Sequence, residues 1–294
     1  MPSRAGTAPS GWASPGRMLR TRVLTAVALA AALVLALFAL PAGGWCAIAT
    51  VILALAAWEW SGLARQARGF RAAYAAGMAA IGAGAAWALG LWAGRPGALL
   101  LYPAYAVTLL FWTVAVPVWL RRRPASPPAS LVLSAGIVVL VPAFLALVQL
   151  RNIEPATLLL VMGVVWVADI AAFFAGRRFG VRKLAPQISP GKTWEGLYGA
   201  VIATACYAVA WFALAPEHLP ALVRDIPGTI FWTLAVAEVL TVFAVLGDLF
   251  ESALKRQAGV KDSGRLLPGH GGVLDRIDAL TATLPLAALI WMAA

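Results

Sequence analysis

Nine uninterrupted apolar runs constrain this chain more than any other feature. They lie near residues 23–40, 42–60, 73–94, 98–120, 131–150, 155–175, 195–215, 228–250 and 277–294. Each approaches the ~20 residues a helix needs to cross the hydrocarbon core of a bilayer. No water reaches that core, so backbone N–H and C=O groups must pair within the segment, and a helix is the form that does so. Of the 294 residues, 62% are hydrophobic and 12% are charged, whereas a soluble domain carries about 25% charge. A soluble globule, a disordered chain and a disulfide scaffold are excluded; there are only two cysteines, Cys46 and Cys206, both in apolar runs and read as packing residues. The expected class is an all-α polytopic membrane protein with about nine transmembrane helices.

The net charge of +11 would point to nucleic acid in a soluble protein. Here the placement of the charges matters more. Arg4, Arg17, Arg20 and Arg22 precede the first run, and Arg65, Arg68 and Arg71 follow the second. Arg121, Arg122 and Arg123 follow the fourth, Arg177, Arg178, Arg182, Lys183 and Lys192 the sixth, and Lys255, Arg256, Lys261, Arg265 and Arg276 the eighth. Twenty of the 23 basic residues therefore fall in alternate gaps, and Arg95, Arg151 and Arg224 fall in the others. The positive-inside bias then puts the N-terminus in the cytoplasm and the C-terminus outside, in an inner (plasma) membrane. Residues 1–22 read as a cytoplasmic tail, disordered over its Ser-, Pro- and Gly-rich first 16 residues. The run from Val23 reads as a retained helix, since no small-residue cleavage site suits it and eight more runs follow. Residues 23–150 form an N-terminal membrane region and residues 151–294 a C-terminal one that carries the chemistry.

The division rests on polar residues. The first four runs hold little besides Ala, Leu, Val, Gly and Trp, with Glu59 at one end between Trp58 and Trp60, where it reads as an interfacial carboxylate. In the second half, Asp169, Glu238 and Asp248 interrupt apolar runs, and Asp278 opens the last, three residues after Asp275. An ionisable residue in a membrane helix is a functional candidate by default. Asp169 lies six residues from the inner end of its run, about 9 Å deep. Asp248 and Asp278 lie shallower, so the acids gather toward the cytoplasmic half and suit a site open to water there. A proton or sodium carrier, the competing reading for Asp169, Glu238 and Asp248, would place them at midplane.

Two inner loops carry the rest. The first reads Ile188-Ser189-Pro190-Gly191-Lys192-Thr193-Trp194-Glu195-Gly196. Its Ser-Pro-Gly turn delivers Lys192 and the Thr193 hydroxyl to a helix start, where backbone N–H groups add to an anion site; Lys192 also fits a plain topology anchor. The second runs from Ser252 through Lys255, Arg256, Lys261 and Asp262 to Pro268-Gly269-His270-Gly271-Gly272-Val273-Leu274-Asp275-Arg276-Ile277-Asp278. Asp275 and Asp278 share a helix face, and Asp248 comes from the preceding helix. Carboxylates suit a hard cation such as Mg²⁺, the interleaved cations suit phosphates, and the two together suit phosphoryl or nucleotidyl transfer. Gly271 and Gly272 let backbone approach a phosphate closely. His270 is an acid, a donor to pyrophosphate or a turn residue; His218, in an outer loop, reads as inert.

The stretch Ser252 to Asp278 resembles the signature of the phosphatidate cytidylyltransferase (CDP-diacylglycerol synthase) family: Ser-x-apolar-Lys-Arg, then Lys-Asp, then Pro-x-His-Gly-Gly-apolar-x-Asp-Arg-apolar-Asp. Val167 to Gly199 is similar to a second block of that family, although Ala168-Asp169-Ile170-Ala171 stands where a small-polar pair usually follows the Asp. The resemblance implies transfer of CMP from CTP to phosphatidate, giving CDP-diacylglycerol and pyrophosphate in phospholipid biosynthesis. It implies Mg²⁺, with Mn²⁺ as a substitute and room for a second cation, held by Asp248, Asp275 and Asp278. It also implies catalytic roles for Lys255, Arg256 and His270, and substrate contacts from Asp169, Ser189, Lys192, Thr193, Ser252, Lys261, Gly271, Gly272 and Arg276. The partners are CTP, phosphatidate of the inner leaflet and the bilayer, with no nucleic acid; a homodimer is compatible with all of this. A cytidylyltransferase of another lipid phosphate fits the same residues.

Overall fold

The computed structural model describes residues 30–95, 100–219, 224, 227–266 and 271–292. Among them nine helices of ten residues or more follow one another, one for each apolar run: α1 (Ala30–Ala39), α2 (Ala42–Leu63), α3 (Arg68–Ala88), α4 (Leu101–Arg122), α5 (Ala129–Ile153), α6 (Pro155–Phe179), α7 (Trp194–Leu214), α8 (Thr229–Ala258) and α9 (Leu274–Met292). Six of the nine, α2 and α4 to α8, are long and apolar enough to cross a membrane. The protein is thus an all-α, multi-pass membrane protein. Helix α9 differs because Asp275, Arg276 and Asp278 stand in its first turns.

The chain departs from the expected local structure at two places, both beside the polar residues. Helix α6 continues past its apolar run through Arg177 and Arg178 to Phe179. Asp169 therefore lies ten residues from that end, about 15 Å along the axis. Ser189-Pro190-Gly191 is extended rather than a turn. It lies in β2 (Ser189–Thr193), which pairs antiparallel with β1 (Lys183–Ala185), Lys183 opposite Thr193 and Ala185 opposite Ser189. The Glu195 carboxylate accepts from the backbone N–H groups of Val181 and Arg182 and closes the base of this hairpin. Thr193 then caps α7, its Oγ1 accepting from Gly196 N at 3.1 Å.

Helix α9 is the centre of the bundle, packed against α8 and α5 and touching α2, α4 and α6, while α7 lies along α6. Small residues permit the closest crossings, as membrane helices require when no hydrophobic force draws them together. A Cβ added at Gly247 would fall 2.6 Å from the Asp278 carbonyl oxygen, and one at Gly199 would fall 2.4 Å from the Ala175 Cβ. Beside Gly247, the ring of Phe250 is enclosed by Trp60, Phe111, Trp112 and Trp119 at 5.5 to 6.2 Å between centroids. A π-helical turn at Phe111–Ala115 within α4 brings two of these rings together. At the same end of the bundle Arg65 Nη2 donates to the Gln257 carbonyl (2.5 Å), and Trp119 Nε1 donates to the Gln257 side chain (3.3 Å).

The α8–α9 crossing predicts a graded cost. Gly247→Ala and then Gly247→Leu are expected to destabilise the protein by about 1–3 kcal/mol, read as falling thermal midpoints in detergent. Gly77→Ala in α3, where an added Cβ meets nothing within 4 Å, is expected to be neutral or better. Equal shifts at the two positions would contradict the crossing.

Candidate active site

At the hairpin end, α6, α7, α8 and β2 enclose a cavity of about 660 Å³ lined by Asp169, Arg177, Ser189, Lys192, Thr193 and Asp248 among apolar residues. Lys192 Nζ sits 2.5 Å from Asp248 Oδ2, and Ser252 Oγ donates to Asp248 Oδ1 at 3.2 Å. Both loop and helix residues singled out in the sequence therefore reach one cavity wall. Asp169 lies within electrostatic reach of Lys192, Asp248 and Arg276.

A second group lies between α8 and α9. Lys255 Nζ is 2.7 Å from Asp275 Oδ1 and 2.5 Å from Glu251 Oε2. Both oxygens of Asp275 are engaged: Ser263 N and Gly272 N donate to it at 3.0 and 2.8 Å. Gly271 adopts φ +83°, open to glycine and strained for other residues; a Cβ there would also fall 2.7 Å from Asp275 Oδ2. Asp278 lies between the two groups: its carbonyl oxygen packs against Gly247, the residue before Asp248, and its Oδ1 accepts from Ala279 N at 2.8 Å.

Other expected residues stand elsewhere or do other work. Arg256 Nε donates to the Ile188 carbonyl at 3.3 Å, holding the hairpin to α8. The Thr193 hydroxyl is the cap of α7. Lys261 is exposed, and Arg276 faces a separate cavity. His270, with Pro268 and Gly269, lies outside the described residues. Glu238 accepts from Thr204 in α7 at 3.2 Å and stands ten residues, about 15 Å, from Asp248 along α8.

Two residues gain importance that the sequence reading did not give them. Glu59 is fully buried rather than interfacial. Its carboxylate accepts from Val273 N (3.1 Å), Leu274 N (2.8 Å) and Ser263 Oγ (3.1 Å). It thus caps α9 from α2, taking up N–H groups that a helix start leaves unpaired. Gly264 and Gly272 crowd around it, with an added Cβ falling 2.1 and 2.4 Å from its oxygens. The other is Glu251, 2% exposed; its Oε1 has no hydrogen-bond partner among the described residues. The Glu-to-Lys spacing of four before Lys255 was a signal for it.

Set against known proteins, residues 20–293 match the model of the cytidylyltransferase family. A phosphatidate cytidylyltransferase of Pseudomonas aeruginosa is 38% identical over 288 residues, covering 94% of this chain and 98% of that protein. One from Haemophilus influenzae is 35% identical over 305 residues, covering 91% and 96%. One from Bacillus subtilis is 40% identical over 141 residues, covering 47% of this chain and 49% of that protein. The chain belongs to the cytidylyltransferase family.

The Glu59 cap predicts a local effect. Orphaning a buried N–H costs about 1–3 kcal/mol, so Glu59→Ala should speed amide hydrogen exchange of a peptide spanning residues 271–277 by roughly tenfold or more. Ser263→Ala, which removes one of three donors, should do less. Unchanged protection in Glu59→Ala would show that α9 is held without this carboxylate.

Proposed function

Taking membership of the cytidylyltransferase family as the premise, we propose that this chain is a CTP:phosphatidate cytidylyltransferase that makes CDP-diacylglycerol and pyrophosphate. The observation that carries this is the pairing of Asp248 with Lys192 and of Glu251 and Asp275 with Lys255, beside Asp169 and Asp278, at one end of the bundle. Two anionic substrates need cations to bring them together, and carboxylates to hold a metal that screens them. An oxygen of the lipid phosphate attacks the α-phosphorus of CTP. A new P–O–P linkage forms, the bond between the α-phosphorus and its bridging oxygen breaks, and pyrophosphate leaves with that electron pair. The phosphate is already an anion, so no protein base is needed.

Lys192 and Lys255 neutralise phosphate oxygens, and Ser189 and Ser252 supply short hydroxyl donors beside them. The donor set suits a hard divalent cation, being all carboxylate, with a buried Glu251 oxygen that lacks a hydrogen-bond partner. No three of the described His, Cys, Asp and Glu side chains are already grouped as a metal cage, and Lys192 and Lys255 are the cations with which an ion competes. Asp248, Asp275 and Asp278 would hold Mg²⁺ or Mn²⁺, which supplies charge neutralisation at the triphosphate.

The membrane arrangement belongs to the same proposal. The nine helices are nine spans, the N-terminus is cytoplasmic, the C-terminus is outside, and the cluster faces the cytoplasm across the inner membrane. The alternation of basic residues supports it. In a Cys206→Ser background, Gly191→Cys is expected to react with an impermeant thiol reagent only from the inner side and Glu217→Cys only from the outer. Labelling of Gly191→Cys in intact cells would refute the arrangement.

The direct test supplies purified protein with α-labelled CTP, Mg²⁺ and phosphatidate, with products resolved by lipid chromatography. CDP-lipid and pyrophosphate are expected in equal amounts, and none in excess chelator. Asp248→Asn and Asp278→Asn should each lower turnover by about a hundredfold or more while purifying as monodisperse protein. Absence of CDP-lipid from the unaltered protein would refute the reading.

A further inference from the structure

A second cavity, of about 340 Å³, lies between α1, α2, α5, α6 and α9, and Arg276 is the one charged residue among those lining it. Val273, Arg276, Ile277, Leu280, Thr281 and Leu284 form its α9 wall, a single stripe at helical spacing with the guanidinium at the site end. From Arg276 to Leu284 the stripe runs about 12 Å, most of the roughly 15 Å half-thickness of a bilayer's hydrocarbon. The cavity borders the reacting centre in two ways. Arg276 follows Asp275 in the chain, and it lies within electrostatic reach of Asp169 on the wall of the larger cavity. Helix α6 lines both spaces: Met162 and Trp166 face the smaller, and Asp169, one turn on, faces the larger.

We propose that this second cavity holds one acyl chain of the lipid substrate, its phosphate drawn to Arg276 at the head end, so that lipid and nucleotide approach from separate cavities. The proposal rests on the reaction proposed above and adds where the lipid binds. Charge complementarity selects the occupant. A neutral lipid has no use for a guanidinium at the mouth, whereas a phosphate monoester pairs with it in two hydrogen bonds. The apolar depth accepts one chain, and its walls set how long that chain is.

Ala49 and Ala143 line the cavity from α2 and α5, and neither belongs to the charged cluster. A graded series, Ala143→Val, →Leu and →Phe, with Ala49→Leu on another helix, fills the cavity by steps, so that its lighter members fold even if Phe does not. Each is assayed with dihexanoyl and dioleoyl phosphatidate. The kcat/KM for dioleoyl phosphatidate is expected to fall stepwise by about tenfold or more, with the dihexanoyl value within about twofold of wild type. Equal losses for both lipids, or no change for either in folded variants, would overturn the proposal; the latter would mean that the cavity holds only bystander lipid or detergent. Thermal stabilisation by dioleoyl phosphatidate without CTP separates the two claims. Stabilisation that is lost in the filled variants supports the chain site even if no CDP-lipid forms. CDP-lipid formation with unaltered stabilisation and unaltered chain preference overturns the chain site and leaves the reaction standing.

Discussion

The Lys255–Asp275 ion pair, buried between α8 and α9, is the contact on which the rest of the site depends. At 2.7 Å, with side-chain exposures of 13% and 6%, it is screened from water by the helices that frame it. Such a pair gives little net stability over an apolar pair, but breaking it by removing one partner strands the other charge at a cost of about 3–5 kcal/mol. The structure spreads that charge across further partners. Asp275 takes two backbone N–H groups of the preceding loop, and Ser263, which donates one of them, passes its hydroxyl to Glu59. Helix α2 is thereby tied to the consecutive pair α8 and α9, far from it in sequence. Gly247 allows α8 to approach α9 closely enough for the pair to form.

This arrangement gives the cluster its chemical character. Lysines and carboxylates alternate through it: Lys192 on Asp248, Lys255 on Glu251 and Asp275. On the proposed reading, an anionic substrate entering the larger cavity meets the Lys192 ammonium already oriented by Asp248, which lowers the reorganisation needed as charge moves in the transition state. On the proposed reading the apolar walls below the cluster serve the lipid, and the hairpin above it, tied to α8 by Arg256 and to α7 by the Thr193 cap, serves the entry from water. On this account binding and chemistry share few residues: the bundle places the substrates, and the buried charges act on the phosphates.

Much of this was legible in the sequence because its signals are local. Each apolar run has a helix among the described residues, and Asp169, Lys192, Asp248, Lys255, Asp275 and Asp278 gathered at one end while Glu238 did not. Asp248, Lys192 and Asp169 share a cavity as their positions near helix ends implied. What could not be read depends on contacts between distant segments. Glu59 looks interfacial because two tryptophans flank it, and only the approach of residues 263–274 buries it. The hairpin forms because Glu195 reaches back to Val181 and Arg182, so a Ser-Pro-Gly segment that reads as a turn is held extended. Arg256 looked like a phosphate ligand, yet its Nε is taken up by the Ile188 carbonyl, 68 residues away in sequence. Helix α6 continues beyond its apolar run through Arg177 and Arg178 to Phe179, past the point where hydropathy alone would end it.

The central claim is that the buried charges assist a direct transfer between two bound anions, with no side chain serving as nucleophile. Stereochemistry at phosphorus tests it most directly. With CTP made chiral at the α-phosphorus by sulfur substitution, and phosphatidate as acceptor, a single in-line displacement inverts that centre. The account predicts CDP-lipid of inverted configuration. Retention would require two displacements through a nucleotidylated residue and would contradict it.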